Sequence, residues 1–200
     1  MKNGHKWILV RIDGKIAALS TDYRQLARIS AALAKGSDTK SYEKITATAI
    51  GPEEVWKLKQ EATWDDLMLF GTEFQKKVWR KLWELTQPGT DGPQRDRTIN
   101  LICYSDFAEL CQNRAGVRAV AHAIGLNPIS VIIPCHLVIP KESIDKIRNI
   151  HKKAEATIFK GDDLCISTIL SDSSIDFGEY ALGKGLKREL ILKELTNDPS

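Results

Sequence analysis

The 200-residue chain is poor in cysteine, in long apolar runs and in charge of one sign. Its four cysteines are Cys103, Cys111, Cys135 and Cys165. Their spacing makes no CxxC pair, which excludes a zinc ribbon, and no dense framework, which excludes a disulfide scaffold. In a reducing compartment they are expected to be free thiols. The apolar runs, such as VIIP, are far too short to span a bilayer. The opening MKNGHKWILV meets Arg11 and Asp13 after a brief apolar patch and reads as no signal peptide. An intracellular location without membrane attachment is therefore expected. A net charge of +3 permits a polyanionic partner but does not select one. Internal repeats and low-complexity tracts are also missing.

What remains is the profile of a globular protein, with 42% hydrophobic and 28% charged residues. The length suffices for one substantial core or two small domains. WILVRI and KIAAL flank Asp13-Gly14, a pair suited to a hairpin turn whose two positions need positive φ. TDYRQLARISAALAKG reads as a helix capped by Thr21 or Asp22 and ended by Gly36. KITATAI alternates like a strand, and GPEEVWKLKQEA has the Pro and acidic residues of a helix start. Residues 1–70 thus form a small α/β unit with no catalytic pattern.

Thr72 and Gln75 make a capping box in TEFQ, ahead of Phe74, Val78, Leu82 and Leu85 at helical spacing. TQPGTDGPQRDRT is a loop. YSDFAELCQNRAGVRAVAHAIGLNP reads as two short helices. Ser105 or Asp106 caps the first, NRAG is the turn, and residues 117–124 form the second. Such a pair is a DNA-docking unit or simply two packed helices. SIDKIRNIHKKAEATIF spaces Ile144, Ile147, Ile150 and Ile158 for a helix, DDLCISTIL suits a strand, and GKGLKRELILKEL puts Leu186, Leu190 and Ile191 on one helical side.

The stretch SVIIPCHLVIP sets Cys135 beside His136 between two prolines. Neighbours on a strand point to opposite faces, and on a helix they diverge by about 100°. A direct thiol–imidazole contact is therefore awkward, and a water or a sharp turn must join the two if they cooperate. Pro134 fixes its own φ and biases Ile133 to extended backbone, which favours a turn. Taken alone, the pair also reads as a small buried thiol and a hydrogen-bonded histidine.

PCHLV resembles the PCHRV motif of the O6-alkylguanine-DNA alkyltransferases, also called methylated-DNA–protein-cysteine methyltransferases. GTEFQKKVWRKLWEL, CYSDFAEL, VRAVAHAIGLNPISVIIPCH and GEYALGKGLKRELILKE resemble further segments of that family in the right order. The resemblance covers residues 71–196 apart from inserts near 90–97 and 141–177. It implies an α/β N-terminal domain over 1–70 and, over 71–200, a mainly helical, winged-helix-like catalytic domain with a helix–turn–helix. It implies repair of double-stranded DNA by irreversible, single-turnover transfer of an alkyl group from O6-alkylguanine to Cys135, with the base flipped out of the stack. No cofactor or metal and a monomeric state are expected.

Residue by residue, the resemblance makes Cys135 the alkyl acceptor and His136 the base that takes its proton through water. Glu194 orients and charges that histidine, and Asn127 hydrogen-bonds within the turn. Tyr104 serves the departing guanine at N3 and also contacts DNA. Tyr180 and Val138 line the base pocket. Arg118 enters the stack in place of the lost base. Ala119 stands in the small-residue helix VRAVAHAI, suited to close approach to the shallow minor groove. Leu137 departs from the motif's arginine, and Leu182 from a glycine. The alternatives are a non-enzymatic alkyltransferase-like lesion binder, a helix–turn–helix regulator and a cysteine hydrolase. The adjacency of Cys135 and His136 and the lack of an oxyanion signature speak against the last.

Overall fold

The computed structural model describes residues 5–24, 26–27, 31, 42–87, 101–155, 168–169 and 171–196. By packing, the chain divides into two compact units, residues 1–90 with 118–135, and residues 91–117 with 136–200.

The first unit is organised by a three-stranded antiparallel sheet in the order β2-β1-β3, with β1 at Trp7–Ile12, β2 at Lys15–Ser20 and β3 at Ile45–Ile50. Asp13 (φ 48°) and Gly14 (φ 83°) close the β1–β2 hairpin in the left-handed conformation that a two-residue turn requires. The Asp13 carboxylate accepts the Lys44 N–H at 2.8 Å and so ties the turn to the start of β3. Trp7, Leu9, Ile12, Ile16 and Leu19 are buried on this sheet. Helix α1, Pro52–Glu61, begins after Gly51 with Pro52 in its first turn. Helix α2, Glu73–Glu84, carries the Thr72–Gln75 capping box and buries Val78, Trp79 and Leu82. The Trp79 indole N–H reaches the Ala123 carbonyl at 2.8 Å, so the polar end of a buried aromatic is satisfied. The helix expected over residues 21–36 falls largely outside the described residues. At its start the Asp22 carboxylate accepts the Arg24 N–H at 2.8 Å.

Lys59, on α1, lies 4.9 Å from the centre of the Trp56 ring, and burial pulls its ammonium down to about 7. An unfolded lysine titrates near 10.4. Between about pH 7 and 10 the unfolded chain therefore binds more protons than the folded one, so stability rises with pH. We expect Lys59→Met to flatten that rise and to stabilise the chain most at pH 7 and below. Urea midpoints measured from pH 6 to 10 check this, and a slope identical in the two proteins would refute it.

The second unit holds a two-stranded parallel ladder, β4 (Ile102–Cys103) on β5 (Val138–Ile139). Helix α3, Tyr104–Leu110, starts at once from β4. The expected cap at Ser105 or Asp106 is not formed: Cys103 holds the N-cap position without a side-chain cap bond, and the Ser105 hydroxyl lies 3.0 Å from the Cys103 sulfur. Because β4 leads straight into the helix, no residue is left over for a polar cap. A 3-10 turn at Arg114–Gly116 precedes helix α4, Val117–Gly125. Helix α5, Lys141–Glu155, and helix α6, Lys184–Thr196, complete the described elements.

The core of this unit gathers Leu101, Cys103, Leu137, Ile139, Ile144, Ile147, Ile175, Phe177 and Ile191. The segment expected as an insert thus supplies much of the core, because its isoleucines repeat at helical spacing on one face of α5. Ile158 and most of DDLCISTIL lie outside the described residues. Thr168 and Ile169 are helical, not extended. Among the described residues no helix is long and apolar enough to cross a membrane.

Candidate functional site

The boundary between the two units falls at the Cys135–His136 peptide bond. In the first unit, the segment 127–135 is fastened to β2. The Leu19 N–H donates to the Pro128 carbonyl at 3.0 Å, and the Ser130 N–H donates to the Leu19 carbonyl at 2.9 Å. Val131 sits at φ 73° and is enclosed by an Ile132 N–H to Ser130 carbonyl bond of 3.0 Å. That is a γ-turn centred on a β-branched residue, a conformation that costs on the order of 1–3 kcal/mol and persists only where its surroundings enforce it. A second tight turn follows around Pro134, with the Cys135 N–H on the Ile133 carbonyl at 2.8 Å.

Asn127 is the internal brace of this segment. Its amide NH₂ donates to the Ile133 carbonyl at 2.8 Å and to the Cys135 sulfur at 3.1 Å, while its oxygen accepts the Ile129 N–H at 3.0 Å. A donor aimed at sulfur favours the thiolate over the thiol, since only the anion is a strong acceptor. Asn127 is 1% exposed and Cys135 5% exposed. Arg118 and Ala119 are exposed at the start of α4, whereas Val120, Ala123 and Ile124 are buried.

In the second unit, His136 opens away from the chain into a fully buried position. It belongs to a 3-10 turn over Cys135–Leu137, whose successive side chains point about 120° apart. Its Nε2 lies 2.9 Å from Glu194 Oε1, across 58 residues of sequence. Glu194 is on the last turns of α6, its side chain 15% exposed. A carboxylate at that distance fixes the ring and stabilises an imidazolium in a place where an unpaired one would be costly. Leu137 is fully buried in the apolar core, and Val138 is buried on β5. Tyr104 and Tyr180 are half-buried in the same unit.

Sequence reasoning attached no role to Lys187. Its side chain is fully buried, and its ammonium donates to the Val138 carbonyl at 2.8 Å and to the Glu179 carbonyl at 3.4 Å. It also lies 5.8 Å from the centre of the Tyr104 ring. It stands at the lysine position of the family ending that GEYALGKGLKRELILKE resembles, but nothing in KGLKREL by itself tells a buried lysine from a solvated one. Among the described residues, no group of three His, Cys, Asp or Glu side chains is arranged to hold a metal ion.

Residues 98–156 match the family model described as 6-O-methylguanine DNA methyltransferase, DNA binding domain. A protein of Acanthamoeba polyphaga mimivirus, named "Probable methylated-DNA--protein-cysteine methyltransferase", is 45% identical over 78 residues, 39% of this chain and 45% of that protein. The inducible methylated-DNA–protein-cysteine methyltransferase of Bacillus subtilis is 41% identical over 71 residues, 36% of this chain and 34% of its own. The chain thus spans less than half the length of these two relatives. The crystal structure of O6-methylguanine-DNA methyltransferase from the archaeon Pyrococcus kodakaraensis strain KOD1 aligns with 99% of this chain and 96% of that one. Its TM-score is 0.51 at 19% identity, a likeness of fold alone.

The chain thus pairs a fold like that of the archaeal structure with a segment, residues 98–156, that matches a 6-O-methylguanine DNA methyltransferase DNA-binding domain. Over these 71–78 residues the chain is similar to methylated-DNA–protein-cysteine methyltransferases.

Proposed function

We propose that this chain repairs double-stranded DNA by moving the alkyl group of a flipped O6-alkylguanine onto Cys135, once per molecule. The observation that carries the reading is the Glu194–His136 pair at 2.9 Å, on the residue next to a cysteine whose sulfur already accepts a hydrogen bond from Asn127. A free thiol has a pKa near ~8.5, so an unassisted Cys135 would be mostly protonated at neutral pH.

In the proposed step, His136 takes the thiol proton through one water and Glu194 balances the imidazolium. The thiolate attacks the alkyl carbon. A sulfur–carbon bond forms as the carbon–O6 bond breaks, and the electron pair leaves with the guanine. Tyr104 supplies the hydrogen bond that eases departure of the guanine anion, which ends with the proton the thiol gave up. Tyr180 and Val138 hold the base, and Arg118 fills its place in the stack. Ala119 allows close approach of α4 to the minor groove, in a winged-helix-like domain with α3 and α4 as its helix–turn–helix. Residues 1–70 form the accompanying α/β domain of an intracellular monomer that needs no cofactor. Extrusion of the base costs a few kcal/mol, least for a poorly paired lesion.

The test is intact-mass analysis after incubation with duplex DNA containing O6-methylguanine. The expected result is one added methyl group, mapped to Cys135 and absent from Cys135→Ala. Tight lesion binding with no change in mass would replace this reading with the lesion binder. Binding that ignores lesions but follows sequence would replace it with a regulator.

A further inference from the structure

Helix α5 fastens the stretch that leads into Tyr180. Its Ser143 side chain is 3% exposed, and the hydroxyl donates to the Asp176 carbonyl at 2.5 Å. One turn on, the Lys146 ammonium donates to the Ser174 carbonyl at 2.6 Å. The stretch is drawn in further by its own bonds. The Asp172 carboxylate accepts the Ser174 N–H at 2.8 Å, and the Asp176 carboxylate accepts the Gly178 N–H at 3.0 Å. Gly178, at φ 80°, is pressed so closely on Pro140, the residue before α5, that an added Cβ would stand 3.0 Å from the ring. The Gly183 N–H then closes the turn on the Tyr180 carbonyl at 2.9 Å. Lys187 holds the Glu179 carbonyl from α6.

We propose that α5 is a specificity-determining strut: Ser143 and Lys146 are positioning residues that fix the 174–180 stretch, hold Tyr180 in place and so limit the size of the alkyl group transferred. This rests on the alkyl-transfer reading above. The argument is one of stiffness. Packed interiors do not yield smoothly to a larger occupant. On that reading Tyr180 walls the base pocket, so a benzyl group would press on it harder than a methyl group and strain the bonds that hold the stretch. Each such bond weights the equilibrium by roughly 2- to 10-fold. Removing them lowers the barrier for the bulky group alone.

The experiment compares wild type with the double variant Ser143→Ala, Lys146→Ala on duplexes carrying O6-methylguanine or O6-benzylguanine, followed by intact mass against time. The benzyl-to-methyl rate ratio is expected to rise about 5- to 20-fold, with methyl transfer within about twofold of wild type. Amide hydrogen exchange at Gly178 and Gly183 is expected to quicken. An unchanged ratio, or equal loss of both rates, overturns the strut while leaving alkyl transfer intact. Wild type that transfers neither group sinks the underlying reading instead. Should the double variant fold poorly, Lys146→Met alone keeps the buried hydroxyl and is expected to raise the ratio about 2- to 5-fold. No rise in that variant, with its melting temperature unchanged, is equally fatal.

Discussion

Glu194→Gln is expected to slow methyl transfer at pH 7 by about 10²- to 10⁴-fold while leaving the melting temperature almost unmoved. Glutamine keeps the length of the side chain and can still hydrogen-bond His136. It removes only the negative charge that makes a buried imidazolium tolerable. His136 is fully buried and Glu194, its partner at 2.9 Å, is 15% exposed, so little solvent is at hand to substitute for that charge. The deficit should also depend on pH in a particular direction. As the pH approaches the free-thiol value near ~8.5, hydroxide generates thiolate without the relay. The gap between variant and wild type should then narrow. Single-turnover rates from pH 6 to 9 measure it. A deficit of constant size across that range would mean that Glu194 acts on the shape of the site and not on its charge.

The second large effect concerns Leu137. Restoring the motif's arginine by Leu137→Arg is expected to destabilise the chain by about 4 kcal/mol or more. The leucine is fully buried: it sits in one core with Leu101, Ile139, Ile144, Ile147, Phe177 and Ile191. A guanidinium there would be buried with its donors facing isoleucine side chains. Leu137→Ala, which only empties space, is expected to cost less, about 2–4 kcal/mol. Urea unfolding of both variants ranks them. If the arginine variant proved as stable as wild type, the cluster around Leu137 would have to open onto solvent, and α5 would lose its place in the core.

These two positions also show how unequally the sequence discloses the molecule. The hairpin at Asp13-Gly14 was legible because a two-residue turn needs positive φ and few residues supply it. The Thr72–Gln75 box was legible because capping is satisfied within four residues. The faces of α5 and α6 were legible from periodicity alone, with Ile144, Ile147, Leu186, Leu190 and Ile191 all buried where spacing put them. The turn at Cys135 was foreshadowed by Pro134, which restricts the backbone on both of its sides.

Other features were decided only when distant segments met. Residues 141–177 read as an insert because their spacing departs from the motif, yet their side chains complete the core that Leu137 enters. Cys103, without a side-chain cap bond, took the N-cap position from the expected polar residue because β4 pairs with β5 up to the residue where the helix begins. The burial of Lys187 could not be read from KGLKREL, since a buried cation and a solvated one are spelled the same way. Its burial follows from the Val138 and Glu179 carbonyls that converge on it from elsewhere in the chain. The sequence by itself determined what depends on neighbours within a few residues: the hairpin turn, the Thr72–Gln75 cap, helical faces and the adjacency of Cys135 and His136. Only the tertiary structure decided the surroundings of Leu137 and the carbonyl partners of Lys187, because burial and pairing across tens of residues are properties of packing that no local pattern encodes.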